Sequence, residues 1–344
     1  MLDVTVLGAG AFGLSVAWCC AKRGAKVRVI DPQGVGAGAS GGLVGALAPH
    51  TPENWNAKKA FQFESLIMAE DWWAEAEEAG GVTSGYGRTG RLQPIRDEHA
   101  LDFAHARTIS AKQLWQGKAR WQVVGQNTLG AWAPKSPTGF LIFDTLSARM
   151  FPRRACASLA AGILAKGGEI VKSGAHDGKV VWATGWLGLI DISKEMGVSF
   201  GNGVKGQAAL LRLDQSTSPQ IYADALHIVP HADGTVAIGS TSERDFDNPE
   251  TPDEQLDAVL ERAYVALPAL RDAEVIERWA GVRPRAKSRA PMMGPHPTRR
   301  GEFIANGGFK IGFGMGPKVG EVMADLLLDG IDAIPDDFRP QASL

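Results

Sequence analysis

The stretch that most restricts the fold is VLGAGAFGLS, Val6 to Ser15, because three glycines at this spacing hold a backbone close to a partner. Before it, DVTVL alternates as a strand does, and after it GLSVAWCCAKRG keeps helical spacing up to Gly24. A second strand, KVRVID, ends in Asp31. Strand, glycine turn, helix and acid-terminated strand within about 30 residues make a dinucleotide fingerprint. Gly8 lets the chain turn off the strand, Gly10 lets backbone approach a pyrophosphate, and Gly13 lets helix and sheet pack closely. The helix N-terminus offers unpaired N–H groups to phosphate. Asp31 can accept hydrogen bonds from both ribose hydroxyls and would repel a ribose phosphate, so the pattern selects NAD or FAD over NADP.

A chain of 344 residues has room for two domains or one large one, each with a substantial core. With 36 Lys and Arg against 38 Asp and Glu, the net charge of -2 gives no sign of a nucleic-acid surface. Cys19, Cys20 and Cys156 form no CxxC pair and read as buried, reduced thiols of a cytoplasmic protein. The N-terminus starts MLD without a basic region, and its glycines follow the nucleotide pattern, so it reads as structure and not as a signal peptide. No apolar run approaches the roughly 20 residues that span a bilayer, so no membrane association is expected. The histidines show no metal-ligand spacing, and no Ser-His-Asp or Cys-His arrangement is readable.

Beyond Asp31 runs a small, apolar tract, PQGVGAGASGGLVGALAPH, which suits backbone packed against a flat ligand better than a flexible linker. Residues 58–79 have the pattern of an amphipathic helix, and a charged helix is expected near 97–109. A further helix begins at Pro152, and KVVWATGW reads as a buried parallel strand entering a glycine turn. ALHIVP and TVAIGSTS flank the turn HADG as a hairpin. Thr251, Pro252 and Glu254 spell the start of a helix to about Leu267. WAGVRPRAKSRAPMMGPHP looks basic and loop-like. A final strand, turn and helix close the chain, with the helix expected to begin near Pro317.

These pieces, in order, resemble the D-amino-acid oxidase family of FAD flavoproteins, nearest to its glycine oxidase branch. The resemblance rests on GAGAFGLSVA with Asp31, GASGGLVGALAP, VVWATGW, GVKGQ, HIVPHADGTVAIGSTSE, TPDEQLDAVLERAYVALPAL, WAGVRP and GGFKIGFGMGPKVGEVMADLL, and covers nearly the whole chain. It implies an α/β fold with a Rossmann-like FAD-binding domain of the glutathione-reductase type, and a second, antiparallel-sheet α+β substrate domain. Residues 1–85, 140–204 and 280–344 are assigned to the first and 86–139 and 205–279 to the second.

Position by position, the resemblance implies that Gly8, Gly10 and Gly13, with Phe12 among them, hold the FAD pyrophosphate, and that Asp31 holds the adenosine ribose. Ser40 matches a diphosphate contact, while Gly45, Ala46 and Leu47 approach the isoalloxazine. Gly312, Gly314, Met315 and Gly316 match a loop beside the pyrimidine. Arg283 matches the arginine that grips a substrate carboxylate, with Lys310 and His227 as further pocket candidates. Four departures stand out: Gly308 and Lys310 where glycine oxidases usually have histidine and arginine, His227 in place of a tyrosine, Ser242 in place of a larger pocket residue, and a short EIVKSGAHDGKVVWAT where a longer segment covers the adenine. The expected activity is oxidation of a small amino acid or N-substituted glycine, with non-covalent FAD reoxidised by dioxygen. The alternatives are an amine dehydrogenase with a quinone or protein acceptor, and a flavin-binding subunit of a larger complex; a nicotinamide dehydrogenase ranks behind both. Homo-oligomerisation is left open.

Overall fold

A computed structural model describes residues 2–128 and 130–344. Val4–Leu7 is buried throughout and lies at the interior of a six-stranded sheet, parallel to Val27–Ile30 on one side and Lys179–Trp182 on the other. Glu169–Val171 and Phe303–Asn306 extend the sheet in parallel, and Met292–Pro295 adds an antiparallel edge. Four helices, Ala11–Lys22, Ala57–Gly80, Pro152–Ala165 and Gly312–Ala324, pack on one another beside this sheet. Their shared core holds Trp18, Trp72 and Trp73, each almost wholly buried. Covered parallel strands explain the near-continuous apolar reading of VTVL and KVVW.

The second sheet has eight strands in the order Glu274–Ala286, Gly201–Arg212, Thr235–Gly239, Leu226–Pro230, Gln220–Ala223, Arg91–Pro94, Phe140–Asp144 and Trp121–Gly125. All neighbours are antiparallel except Gln220–Ala223 and Arg91–Pro94, which run parallel. Phe140–Asp144 and residues 201–204 stand inside the 140–204 segment, and residues 280–286 inside the 280–344 segment, that are assigned to the nucleotide domain, yet all three pair in this sheet. The helix Gln255–Ala266 covers the sheet's other apolar cluster, around Ile228 and Ile238. No helix of the described residues is long and apolar enough to cross a membrane.

Three local expectations are corrected. WAGVRPRA is not a loop: Glu274–Ala286 pairs along the length of Gly201–Arg212 as an edge strand, where Pro284 removes no ladder bond that the sheet needs. Thr251 does not cap the following helix, which starts at Gln255 with Asp253 Oδ1 accepting the Gln255 N–H at 3.0 Å. The last helix begins at Gly312, five residues before Pro317, and Pro317 lies inside it. Poor intrinsic propensity hides that helix, and packing against Ala11–Lys22 and Ala57–Gly80 stabilises it.

Candidate active site

A cavity of about 690 Å³ runs from the C-terminal ends of the parallel strands to the eight-stranded sheet. Gly8, Gly10, Phe12, Asp31, Ser40, Gly45, Ala46, Leu47, Gly312 and Gly314 line it, as do His227, Arg283 and Lys310. The three other expected cofactor residues stand behind the lining. Gly13 packs where an added Cβ would fall 2.0 Å from the Gly8 carbonyl oxygen, matching its close-packing role. Met315 is fully buried, and Gly316 abuts Ser15, where an added Cβ would meet Oγ at 2.7 Å. The reason is the early helix start: the expected loop from Gly312 to Gly316 is helical, so its residues rotate by turns and only the first ones face the cavity.

At the nucleotide end, Gly8 has φ of +110°, a conformation that side-chain-bearing residues rarely adopt. The helix after it starts on Gly10, which has no side chain to cap it, and carries no acid in its first turn, so the N–H groups past Ala11 suit an anion. Ser40 Oγ accepts the Ala11 N–H at 2.9 Å, which fastens the small-residue tract to this helix end. Asp31 also stitches the turn, since Oδ2 accepts from Ala9 N at 2.8 Å and Oδ1 from Gln33 N at 3.0 Å. Gly34 N also donates to Oδ1 at 3.3 Å, so of a carboxylate's roughly four acceptor positions about one remains for a ribose hydroxyl. Beyond Asp31, His176, Trp182, His296 and Arg299 line the cavity, none of which the sequence singled out. Arg299 lies 4.3 Å over the Trp182 ring and is held by Glu195 at 2.6 Å. The aromatic belongs to a strand end that reads only as core.

The other end is assembled from the eight-stranded sheet and the chain after Asn306. Arg283 is 9% exposed; its Nη2 donates to Ser240 Oγ at 2.8 Å and to the Thr241 carbonyl at 3.0 Å, while Nη1 has no partner among the described residues. Burial pulls the guanidinium down to about 10, partly offset by the Glu243 charge, so it stays cationic near neutrality. Its course over the neighbouring strand depends on Gly206, where an added Cβ would fall 1.4 Å from Nη2. Thr241 is placed in turn by a buried network: Gln207 N donates to its Oγ1 at 2.8 Å, its hydroxyl bonds Glu243, and Glu243 faces Lys205 at 3.5 Å. This is the structural task of GVKGQ.

His227 lines the cavity with Nδ1 unpartnered among the described residues, and burial, with the nearby Arg91, Lys310 and Arg283 cations, draws it down to about 3. It is therefore neutral across the working pH range. Directly across the hairpin stands Tyr222, its ring 4.8 Å from the imidazole. Position 227 lacks an aromatic carbocycle, and strand register places Tyr222 opposite it on the cavity wall. Arg91 lies 5.9 Å from the Tyr222 ring and is anchored by Asp144 at 3.0 Å. Ser240, not Ser242, lines the cavity, and Trp279 and Phe309 complete it. Gly308 is also explained, because an added Cβ would fall 2.8 Å from the Phe12 ring, which fills the place of a side chain. Lys310 is exposed at the cavity; desolvation by its walls, then the Arg283 and Arg285 charges, hold it below the ordinary lysine value. Among the described residues, no cluster of three His, Cys, Asp or Glu is placed to hold a metal ion.

A long cavity joining a helix N-terminus to a buried arginine is mirrored by the family comparison. Residues 3–326 match the family described as FAD dependent oxidoreductase, DAO. The chain belongs to this family. It is an FAD-dependent oxidoreductase, and the glycine cradle, the free helix N-terminus and Asp31 fit the cofactor. A Rhizobium etli protein named as the thiamine biosynthesis oxidoreductase ThiO is 30% identical over 95% of this chain and 97% of its own. The glycine oxidase of Geobacillus kaustophilus is 25% identical over 94% and 92%. Its solved structure superposes with a TM-score of 0.83 at 21% identity, covering 98% of this chain and 97% of that one. An iminodiacetate oxidase from Chelativorans sp. BNC1 superposes equally, at 0.83 and 21%, covering 98% and 99%. The DAO flavoprotein thus has the mixed α/β fold of glycine oxidase structures.

Proposed function

We propose that this flavoprotein oxidises the amine of a small amino acid or N-substituted glycine. The observation that carries the reading is Arg283: a buried guanidinium with Nη1 free, opening on the cavity that begins at the FAD cradle. A substrate carboxylate pairs with such a fork through charge and geometry together. FAD, held non-covalently by the glycine cradle, the helix N-terminus and Asp31, would supply the hydride acceptor for the carbon bearing the amine and would pass both electrons to dioxygen, which leaves as hydrogen peroxide with the proton that the amine gives up. The resulting imine takes up water to give an oxo acid and ammonia or an amine.

The protein's part is placement. Arg283, held by Ser240 and Thr241, fixes the carboxylate and so aims the carbon hydrogen. No acid lines this end of the cavity and His227 stays neutral, so the amine arrives already unprotonated. The N-terminus of Gly312–Ala324 faces the cavity and favours negative charge developing there. The division into FAD-binding and substrate units belongs to the same proposal, with Phe140–Asp144, residues 201–204 and residues 280–286, which pair in the eight-stranded sheet, moved to the substrate unit.

The test is anaerobic mixing of the yellow protein with a panel of amino acids and N-methylated glycines. Bleaching by members of the panel is expected, followed by peroxide release on admitting oxygen. Reduction only by amines that lack a carboxylate would overturn the reading, and bleaching without oxygen consumption would favour a dehydrogenase.

A further inference from the structure

One aromatic ring gathers three cations. The Arg283 and Arg285 guanidinium carbons lie 5.9 and 5.6 Å from the Phe309 centroid, and Lys310 Nζ lies at 5.7 Å. None of the three enters an ion pair among the described residues, whereas other cations around the cavity and core are matched: Arg299 with Glu195, Arg91 with Asp144, Lys205 with Glu243 and Asp253. The carboxylate that acts on Arg283, Glu243, is itself engaged by Lys205, Gln207 and Thr241. The lining at this end is Tyr222, His227, Ser240, Arg283, Phe309 and Lys310, without an acid. Phe309 has φ of +43°, an uncommon conformation for a non-glycine residue, and its N–H is tied to the Pro284 carbonyl at 2.9 Å. That tie holds Lys310 beside the arginine strand.

Like charges brought together without a counter-ion repel, and a bound anion relieves the repulsion. One substrate carboxylate satisfies the free Nη1 of Arg283 and leaves a net positive charge toward Lys310 and Arg285. Resting on the amine-oxidation reading above, we infer that the substrate carries two carboxylates: an acidic amino acid or an N-carboxyalkyl glycine. Arg283 grips the carboxylate beside the reacting carbon, and Lys310, with Arg285 behind it, takes the second. The electron balance is that of the simpler reaction, since the second carboxylate is a handle and does not react.

The test compares flavin reduction in anaerobic stopped flow by glycine, sarcosine and both alanine enantiomers with reduction by iminodiacetate and both enantiomers of aspartate and glutamate. The best dicarboxylate is expected to exceed the best monocarboxylate at least tenfold in reduction rate over dissociation constant. Lys310→Met should lower that ratio tenfold or more, with Lys310→Arg restoring most of it, while FAD affinity and the visible spectrum stay at parental values. Monocarboxylates matching dicarboxylates in the parent would overturn the inference and leave amine oxidation standing. So would equal losses for both classes in Lys310→Met, which would place Lys310 on the flavin or the first carboxylate. Bleaching by neither class would remove the amine-oxidation reading and the inference together.

Discussion

The two ends of one cavity are built by different means. The nucleotide end uses backbone and small residues close in sequence: Gly8 to Phe12, Asp31 and Ser40 lie within 33 positions of one another. The proposed substrate end uses side chains of Tyr222, His227, Ser240, Arg283 and Lys310, on five separate segments. A site made of local backbone tolerates little change of residue and announces itself as a motif. A site made by strand register can exchange its parts, as Tyr222 standing opposite His227 illustrates.

This contrast predicts that damage at one end should spare the other. The largest expected effect is Arg283→Ala. Efficiency of flavin reduction should fall by about two orders of magnitude or more, equivalent to about 3 kcal/mol of transition-state binding, with FAD content unchanged. Arg283→Lys should recover part, because a point charge lacks the fork. Parental reduction by a folded, yellow Arg283→Ala protein would place the carboxylate elsewhere and break the comparison.

Gly206→Ala should come next. A methyl there displaces the guanidinium without removing its charge, so reduction should slow about ten- to hundredfold as positioning is lost. Rate constants at saturating substrate, read beside the FAD dissociation constant, check that the loss is confined to the substrate end.

Asp31→Ala is the reciprocal test. FAD affinity should weaken by about 1 to 3 kcal/mol, while substrate saturation of the reloaded enzyme stays near parental values. Because Asp31 also accepts from Ala9 and Gln33, part of that loss is loosening of the glycine turn. Asp31→Asn, which keeps acceptor oxygen, should lose less, and flavin fluorescence titration measures both.

The smallest effects concern pH. Reduction efficiency should rise with pH as the substrate amine loses its proton, without an inflection from His227, whose folded value is about 3. Stability should respond to the same histidine in the opposite range. Its ordinary value of about 6.5 is lowered by folding, so the unfolded chain binds the proton first and stability declines as pH falls from about 6.5 toward 3. The contribution is on the order of 1 kcal/mol per pH unit. Thermal melts of the parent and His227→Gln between pH 4 and 8 should converge at the acid end; parallel curves would remove His227 as the cause.

The nucleotide half of the fold was readable because its signals are local. Hydrophobic runs gave the strands at Val4 and Lys179, and helical periodicity placed 58–79 against the observed Ala57–Gly80. The readings that failed depended on remote partners. Glu274–Ala286 looked like a basic loop, because its strand character comes from pairing with Gly201–Arg212. The helix at Gly312 was placed late, because five residues of glycine-rich sequence become helical only against other helices. Ser242 was expected where Ser240 lines the cavity, an error of two positions where the chain leaves the Thr235–Gly239 strand.

The sequence by itself marked out a strand, turn and helix suited to a dinucleotide with an unphosphorylated ribose, since that fit needs only φ freedom at Gly8, a helix N-terminus and one acid. It also carried Arg283 as a matched position. Only the tertiary structure decided that this arginine is buried with one nitrogen free, that Gly206 makes room for it, and that Tyr222 and Phe309 close the site. Charge becomes a binding site through burial and the absence of a counter-ion. Both are properties of what the folded chain brings near, and no single stretch of residues contains them.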